Sequence, residues 1–168
     1  PPDIVVSGIN IGINTGLGFF MASGTLGACF EANIARIPAI ALSQAMSFED
    51  HKMWYSERRF ADPALERMTS SVSKVFPRIW EDYALKMDSP ITWSFNLPDH
   101  TGDLEIIRTR LGQTFYQQCF SQRGDQYYHN LQRFPIDDAP DSDQAVVFDG
   151  HVSLTRIDLA EIGQNLTD

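Results

Sequence analysis

Pro2-Asp3-Ile4-Val5-Val6-Ser7-Gly8-Ile9-Asn10, then Gly12, Asn14, Gly16 and Gly18, then Ser23-Gly24-Thr25, then Ile37-Pro38-Ala39-Ile40-Ala41-Leu42-Ser43, is the stretch that decides the fold. Ile4 to Val6 are apolar and β-branched without alternation, which predicts a strand covered on both faces, as in a parallel sheet. Gly8 to Gly18 reads as a loop whose glycines let a ligand approach the backbone. Ser23 is a good N-cap for a helix running to about Ala35, with Leu26, Phe30 and Ile34 as its inward stripe. Ile37 to Leu42 is the next buried strand. The order strand, loop, helix, strand is that of an α/β protein with an anion site at the carboxyl ends of its strands.

The rest of the chain extends this pattern. Residues 44–59 read as a loop carrying His51, Trp54 and Tyr55. Asp62 caps a long helix with Pro63 at its first position and an apolar face of Leu65, Met68, Val72, Val75, Ile79 and Tyr83. Pro77 within it predicts a kink or a split. Ile91–Leu97 and Leu104–Leu111 are further strands. Residues 115–131 read as a projecting hairpin around Arg123-Gly124-Asp125. Residues 137–143 form an acidic loop, 144–148 a helical turn, and Val152–Leu159 a last strand.

Composition narrows the function. An apolar share of 43% is ordinary for a soluble globular domain, and 168 residues suffice for one core. A net charge of −9 disfavours binding to a nucleic-acid duplex, which needs basic patches, but leaves small phosphorylated ligands open. Cys29 and Cys119 stand far apart, which predicts reduced, packed thiols in a cytoplasmic protein. The N-terminal residues do not have the pattern of a signal peptide, and no apolar run approaches the roughly 18 residues of a membrane span.

The loop chemistry is specific. The Asn10 amide oxygen, directly after the first strand, can ligate a hard cation such as Mg²⁺ or Mn²⁺, though one amide cannot hold it alone. Asn14 can donate to a phosphate oxygen. Ser23, Gly24 and Thr25 offer hydroxyls and successive N–H groups at a helix N-terminus, where the dipole adds positive charge. Each residue also has a plain structural use, since Gly and Asn are turn residues and Ser a common cap. Two nucleotide motifs are excluded. No Lys-Ser or Lys-Thr follows the glycines, and Met21 stands at the third glycine position of a dinucleotide fingerprint.

These residues resemble the SurE family of metal-dependent 5′/3′-nucleotidases. The resemblance is carried by Pro2 to Gly16, Ser23-Gly24-Thr25-Leu26-Gly27-Ala28 with Glu31, and Ile37 to Ser43. It continues in Phe95-Asn96-Leu97-Pro98, Ser142-Asp143 and Gly150-His151-Val152-Ser153-Leu154-Thr155. It implies a Rossmann-like parallel-sheet core over residues 1–168, a protruding hairpin over 115–131 and a C-terminal strand and arm over 152–168. By the same resemblance Asn10 is a metal ligand, and Asn14, Ser23, Gly24 and Thr25 bind the substrate phosphate of a nucleoside monophosphate. A divalent ion (Mg²⁺ or Mn²⁺) is the implied cofactor, and a homodimer or homotetramer the implied assembly.

One departure qualifies the expectation. The family opens with a strand ending in Asn-Asp-Asp-Gly, whose carboxylates hold the metal, and this sequence contains no such motif. Its one Asp-Asp pair, Asp137-Asp138, lacks the strand-end context of a substitute. The sequence thus reads as a family member missing its first third, incomplete on the N-terminal side of the sheet, carrying half a site and inactive alone. The alternative is a non-catalytic module that binds a phosphorylated ligand or assembles without turnover.

Overall fold

A computed structural model of the chain describes residues 2–116, 118–129 and 135–164, with the side chains of 129 and 162–164 excepted. Residues 117, 130 and 131 of the expected hairpin segment and 165–168 of the expected arm lie outside the described residues.

The strands are β1 (Val5–Ile11), β2 (Ala39–Gln44), β3 (Thr92–Leu97), β4 (Ile106–Thr109), β5 (Phe120–Arg123), β6 (Gln126–His129) and β7 (Val152–Ile157). The helices are α1 (Leu17–Met21), α2 (Gly24–Ile34), α3 (Phe48–Glu57), α4 (Asp62–Asp82), α5 (Asp143–Phe148) and α6 (Leu159–Gln164). Among the described residues the main sheet has the order β1-β2-β3-β7-β4. Strands β1, β2 and β3 are mutually parallel, β7 runs antiparallel to β3, and β4 is parallel to β7. The α/β expectation with a parallel-dominated sheet therefore holds.

Alternation along the inner strands divides the core into two layers. Ile40, Leu42, Phe95, Leu97, Val152 and Leu154 face Val75 and Ile79 of α4. Ala39, Ala41 and Ile157 face Leu26, Cys29 and Ala32 of α2, with Phe20 of α1. Phe95 and Leu26 are fully buried, each stabilising the fold by about 1.5–3 kcal/mol relative to exposure. At the amino end of β2 and β3, Asn33 ties the layers together. Its Nδ2 donates to the carbonyls of Ile37 (3.0 Å) and Ile91 (3.1 Å), and its Oδ1 accepts from Thr92 Oγ1 (2.7 Å).

Several expectations are corrected. The first strand runs past Gly8 and Asn10 to Ile11 and is not covered on both faces. It pairs with β2 alone among the described residues, and Val6 and Ile9 are 40% and 43% exposed. Helix α1 begins at Leu17, inside the stretch to Gly18 expected as loop. In α2 the inward face is Leu26, Cys29, Ala32 and Asn33, while Ile34 is exposed.

Residues 48–57 are helix where a loop was expected. Ser47 Oγ caps the Asp50 N–H at 3.0 Å, Glu49 and Asp50 complement the helix dipole, and Arg58 closes the helix in the left-handed region. No residue of α3 is buried, so its sequence carries no apolar period to betray it. Helix α4 continues through Pro77 without splitting. Its buried positions are Ala64, Ser71, Val75 and Ile79, whereas Leu65 is exposed. The hairpin forms as β5 and β6, turning at Gly124.

Candidate functional site

The parallel strands β1, β2 and β3 end on one edge of the sheet, and antiparallel β7 begins there. The register aligns Asn10 with Ser43, Ser43 with Asn96, and Asn96 with Ser153. With strands about 4.8 Å apart, this makes a polar row about 14 Å long. Asn10 reaches it because β1 is bulged between Ser7 and Asn10. Without the extra residue, alternation would put Asn10 out of line with Ser43. The bulge needs Gly8: its φ is +118°, and a Cβ there would overlap the Leu42 carbonyl oxygen.

Asn14 lies across the middle of the row. Its main-chain N–H donates to Asn96 Oδ1 (2.8 Å) and its Nδ2 donates to Ser43 Oγ (2.7 Å). All three residues are buried. The next residues are held from the other side of the sheet. The Gly16 N–H donates to both oxygens of Asp143 (3.0 and 3.2 Å), and the Gly112 N–H donates to Asp143 Oδ1 (2.9 Å). Leu17 N–H donates to the Gly112 carbonyl (2.8 Å) and Gly18 N–H to the Thr114 carbonyl (2.9 Å). Burial pushes the Asp143 pKa up, and the N–H donors from Gly16 and Gly112 oppose that shift.

Three buried polar atoms around this loop have no hydrogen-bond partner among the described residues: Asn96 Nδ2, Thr15 Oγ1 and Ser153 Oγ. Such groups cost free energy unless a ligand or water satisfies them.

The residues singled out from the sequence fall into two parts. Asn10 and Asn14 stand on or over the row. Asn10 is in the strand, not after it, and half-buried. Its Nδ2 donates to the Gly12 carbonyl (2.8 Å), which leaves Oδ1 as the atom with no hydrogen bond among the described residues. Ser23, Gly24 and Thr25 begin α2, which packs on β1 and β2 and starts at the same sheet edge. Ser23 Oγ is engaged in capping the Leu26 N–H (3.2 Å), so the groups open to a ligand there are the first-turn N–H groups and the Thr25 hydroxyl. No hydrogen bond among the described residues joins this helix start to Asn10 or Asn14.

Sequence reasoning missed Ser43, Asn96 and Asp143 as loop-holding residues. Asn96 and Asp143 lay in quoted motifs, but which loop their side chains hold depends on register and on the chain's return through α5.

The donor set does not make a metal site. A Mg²⁺-class ion takes about six oxygen ligands, carboxylates among them. Asn10 Oδ1 is one amide oxygen. No group of three or more His, Cys, Asp or Glu among the described residues could hold a metal ion. Asp137 is committed to Arg110 (2.7 and 3.2 Å) and to the Gln113 N–H (2.9 Å).

Fold and site together define an α/β protein that carries a glycine- and asparagine-bearing loop over the carboxyl edge of a parallel-dominated sheet. The chain belongs to the SurE family: the family described as Survival protein SurE matches residues 1–118. It is 33% identical to the 5′-nucleotidase SurE of Desulforamulus reducens over 95% of this chain and 58% of that protein. It is 31% identical to the 5′-nucleotidase SurE of a Thermoanaerobacter species over 95% of this chain and 60% of that one. The crystal structure of the SurE protein from Aquifex aeolicus shares the fold, with a TM-score of 0.64 at 23% identity, covering 94% of this chain and 60% of that one. The chain thus spans under two thirds of the length of these relatives.

Proposed function

We propose that this chain supplies the phosphate-holding part of a phosphomonoesterase that hydrolyses nucleoside 5′- or 3′-monophosphates. The observation that carries this reading is the double hold on Asn14 by Ser43 and Asn96, which keeps the loop rigid over the carboxyl edge beside the start of α2. A pre-set loop is what binding a phosphoryl group and stabilising its developing charge requires. In this reading the Asn14 main-chain N–H and Nδ2 keep the loop's shape, and the Gly24 and Thr25 N–H groups with the Thr25 hydroxyl meet phosphate oxygens. Asn10 Oδ1 offers one oxygen toward a divalent ion, whose carboxylate ligands would come from residues other than those described. No catalytic group is assigned on this chain, and the chain alone is expected to be inactive.

The reading extends to one SurE-like domain with a projecting hairpin and a C-terminal arm, in a cytoplasmic homodimer or homotetramer. The exposed rings of Phe120 and Tyr127, 54% and 70% accessible on the hairpin, support assembly through that element. No helix among the described residues is long and apolar enough to cross a membrane. The alternative reading is a phosphate-ligand-binding or assembly module without turnover.

The test is phosphate release from AMP and GMP with Mg²⁺ or Mn²⁺, by this chain and by the same chain joined to a preceding segment containing Asn-Asp-Asp-Gly. Turnover only in the extended form, lost with Asn10→Ala, supports the enzyme reading. No turnover in either form, with inorganic phosphate still shifting the Gly24 and Thr25 amide resonances, leaves the binding module.

A further inference from the structure

We infer that the glycine loop is seated on the sheet through an internal water molecule, bound between Asn96 Nδ2, Ser153 Oγ and Thr15 Oγ1. The inference concerns how the loop is held and stands whether or not the loop meets a phosphate.

Asn96, Ser153 and Thr15 are 0%, 0% and 1% exposed, and among the described residues these three atoms make no hydrogen bond to each other or to anything else. Each polar group buried unpaired costs free energy, and three around one loop call for a physical account. Asn96 and Ser153 are antiparallel partners on β3 and β7, which sets their Cβ atoms about 4.5–5.5 Å apart. Both side chains point away from α4, because their strand neighbours Phe95, Leu97, Val152 and Leu154 fill the α4 layer. Thr15 is brought to the same place by the residues on either side of it. Asn14 donates its main-chain N–H to Asn96 Oδ1 (2.8 Å). Gly16 donates to Asp143 Oδ2 (3.0 Å) at the head of α5, the helix that packs on β7 and leads into it. Thr15 is thus strung between β3 and β7, where Asn96 and Ser153 stand side by side.

The chemistry of the three atoms identifies the ligand. The Asn14 N–H needs an acceptor, so it fixes the Asn96 amide with Oδ1 toward the loop. The atom left over is Nδ2, which only donates. A cation offers it no acceptor and is excluded. An anion would accept, but an amide and two hydroxyls bring no positive charge to balance it. The chain as a whole carries −9, and the Asp143 carboxyl stands at the next residue of the loop. A small neutral molecule that accepts from an amide and exchanges hydrogen bonds with two hydroxyls is water. Three partners is the usual number for a buried water, and polar groups too far apart to bond directly are what a water bridges.

The water gives β7 a part in seating the loop. Ser43 and Asn96 hold Asn14 directly, whereas Ser153, one strand further along the polar row, reaches the loop only through the water. With Nδ2 satisfied on the β7 side, the Asn96 amide keeps the orientation in which Oδ1 takes the Asn14 N–H. Ser153 is therefore a positioning residue that acts through Asn96. The site also accounts for two hydroxyls at positions where the surrounding burial would suit alanine and valine equally well by size.

The experiment compares the full chain with Thr15→Val, Ser153→Ala and the two combined, substitutions that remove a hydroxyl and little else. Oxygen-17 relaxation dispersion of the solvent counts water molecules held for longer than the protein takes to tumble. The double variant is expected to lose one such water relative to the wild type, while Thr15→Ser, which keeps the hydroxyl, retains it. Urea unfolding reads the sign independently. With water pairing the hydroxyls, each single variant should lower the folding equilibrium constant about fivefold, the scale of one net hydrogen bond. The double should lose less than the product of the two, because the water leaves with the first hydroxyl. Hydroxyls that are buried unpaired behave in the opposite way, and their removal stabilises the fold. An unchanged dispersion amplitude, or variants more stable than the wild type, would overturn the inference. So would a crystal structure of the unaltered chain, at a resolution that shows ordered water, without density bonded to Asn96 Nδ2, a check that holds even where a variant fails to fold. None of these readouts involves phosphate, so their failure leaves the proposed function untouched.

Discussion

The main-chain N–H of Asn14 donates to the side-chain oxygen of Asn96 at 2.8 Å, joining residues 82 apart in sequence inside a site where both are buried. The bond fixes the loop after β1 to the end of β3 without using the Asn14 side chain, which is left for Ser43. Replacing Asn96 by Leu removes the acceptor and leaves a buried donor, which costs about 1–3 kcal/mol. Asn96→Asp keeps an acceptor and should cost less. Urea unfolding of both variants checks this order. Equal losses would mean that the orphaned Asn96 Nδ2, not Oδ1, is the group that matters.

Asp143 gives a pH-dependent prediction. Burial raises its pKa in the folded protein above the unfolded value, so over that interval the folded state keeps a proton the unfolded state has released. The group's favourable contribution is full below about pH 4 and is lost as pH rises through the folded pKa. Asn resembles the protonated acid in having one acceptor and one donor end. The stability of the wild type relative to Asp143→Asn should therefore fall as pH rises from 4. Asp143→Ala strands the Gly16 and Gly112 N–H groups and should cost on the order of 3 kcal/mol. Carbon-detected titration of the Asp143 carboxyl is the direct check, and a pKa at or below the ordinary range defeats the argument.

Asp137 shifts the other way. The Arg110 guanidinium and the N–H groups of Gln113 and Ala139 hold its carboxyl well below the usual carboxylate range. Its contribution is present above the unfolded value and lost only as pH falls through the depressed one. Arg110→Ala should bring the Asp137 titration back toward the ordinary range and move acid unfolding to higher pH. An unmoved Asp137 titration would assign the shift to the backbone donors instead.

How much of this was legible in sequence depends on where the determining contact lies. The Ser23 cap, the β2 strand and the Gly124 turn were readable because each is decided within a few residues. Strand β1 was misread at both ends of the same logic. Gly8 looks like the start of a loop, yet it is a bulge whose need for glycine is set by the Leu42 carbonyl. The β-branched run looks doubly covered, yet Val6 is 40% exposed. Helix α3 was invisible because it buries nothing, so no apolar period was written into it. At the site, Asn10 and Asn14 stood out beside glycines. Ser43 could be quoted only as the last residue of a strand, because its role depends on its position opposite Asn10 and Asn96.

The two cysteines should separate cleanly. Cys29 is buried on the inward face of α2, which pushes its thiol up to about 12, whereas Cys119 is partly accessible. Thiolate is the reactive form, so one thiol should react with a disulfide reagent in the native chain and the second only on unfolding. Two native-state equivalents at similar rates would show that α2 opens locally far more often than its packing implies.

The bulge itself can be tested with a matched pair of glycines. Gly8 and Gly12 both hold positive φ, +118° and +98°, but a Cβ at Gly8 would overlap the Leu42 carbonyl oxygen and one at Gly12 would meet nothing within 4 Å. Gly12→Ala should carry only the backbone strain, roughly 1–2 kcal/mol. Gly8→Ala adds a collision with main chain that cannot swing away, and relief comes most simply by losing the bulge. That would return β1 to plain alternation and take Asn10 out of line with Ser43. Gly8→Ala should therefore be the more destabilised of the two by urea unfolding, and it alone should shift the Asn10 side-chain amide and the Ser43 amide resonances. Similar losses in both variants, with the Asn10 and Ser43 resonances in place, would mean that Leu42 yields and that the bulge is held by something other than Gly8.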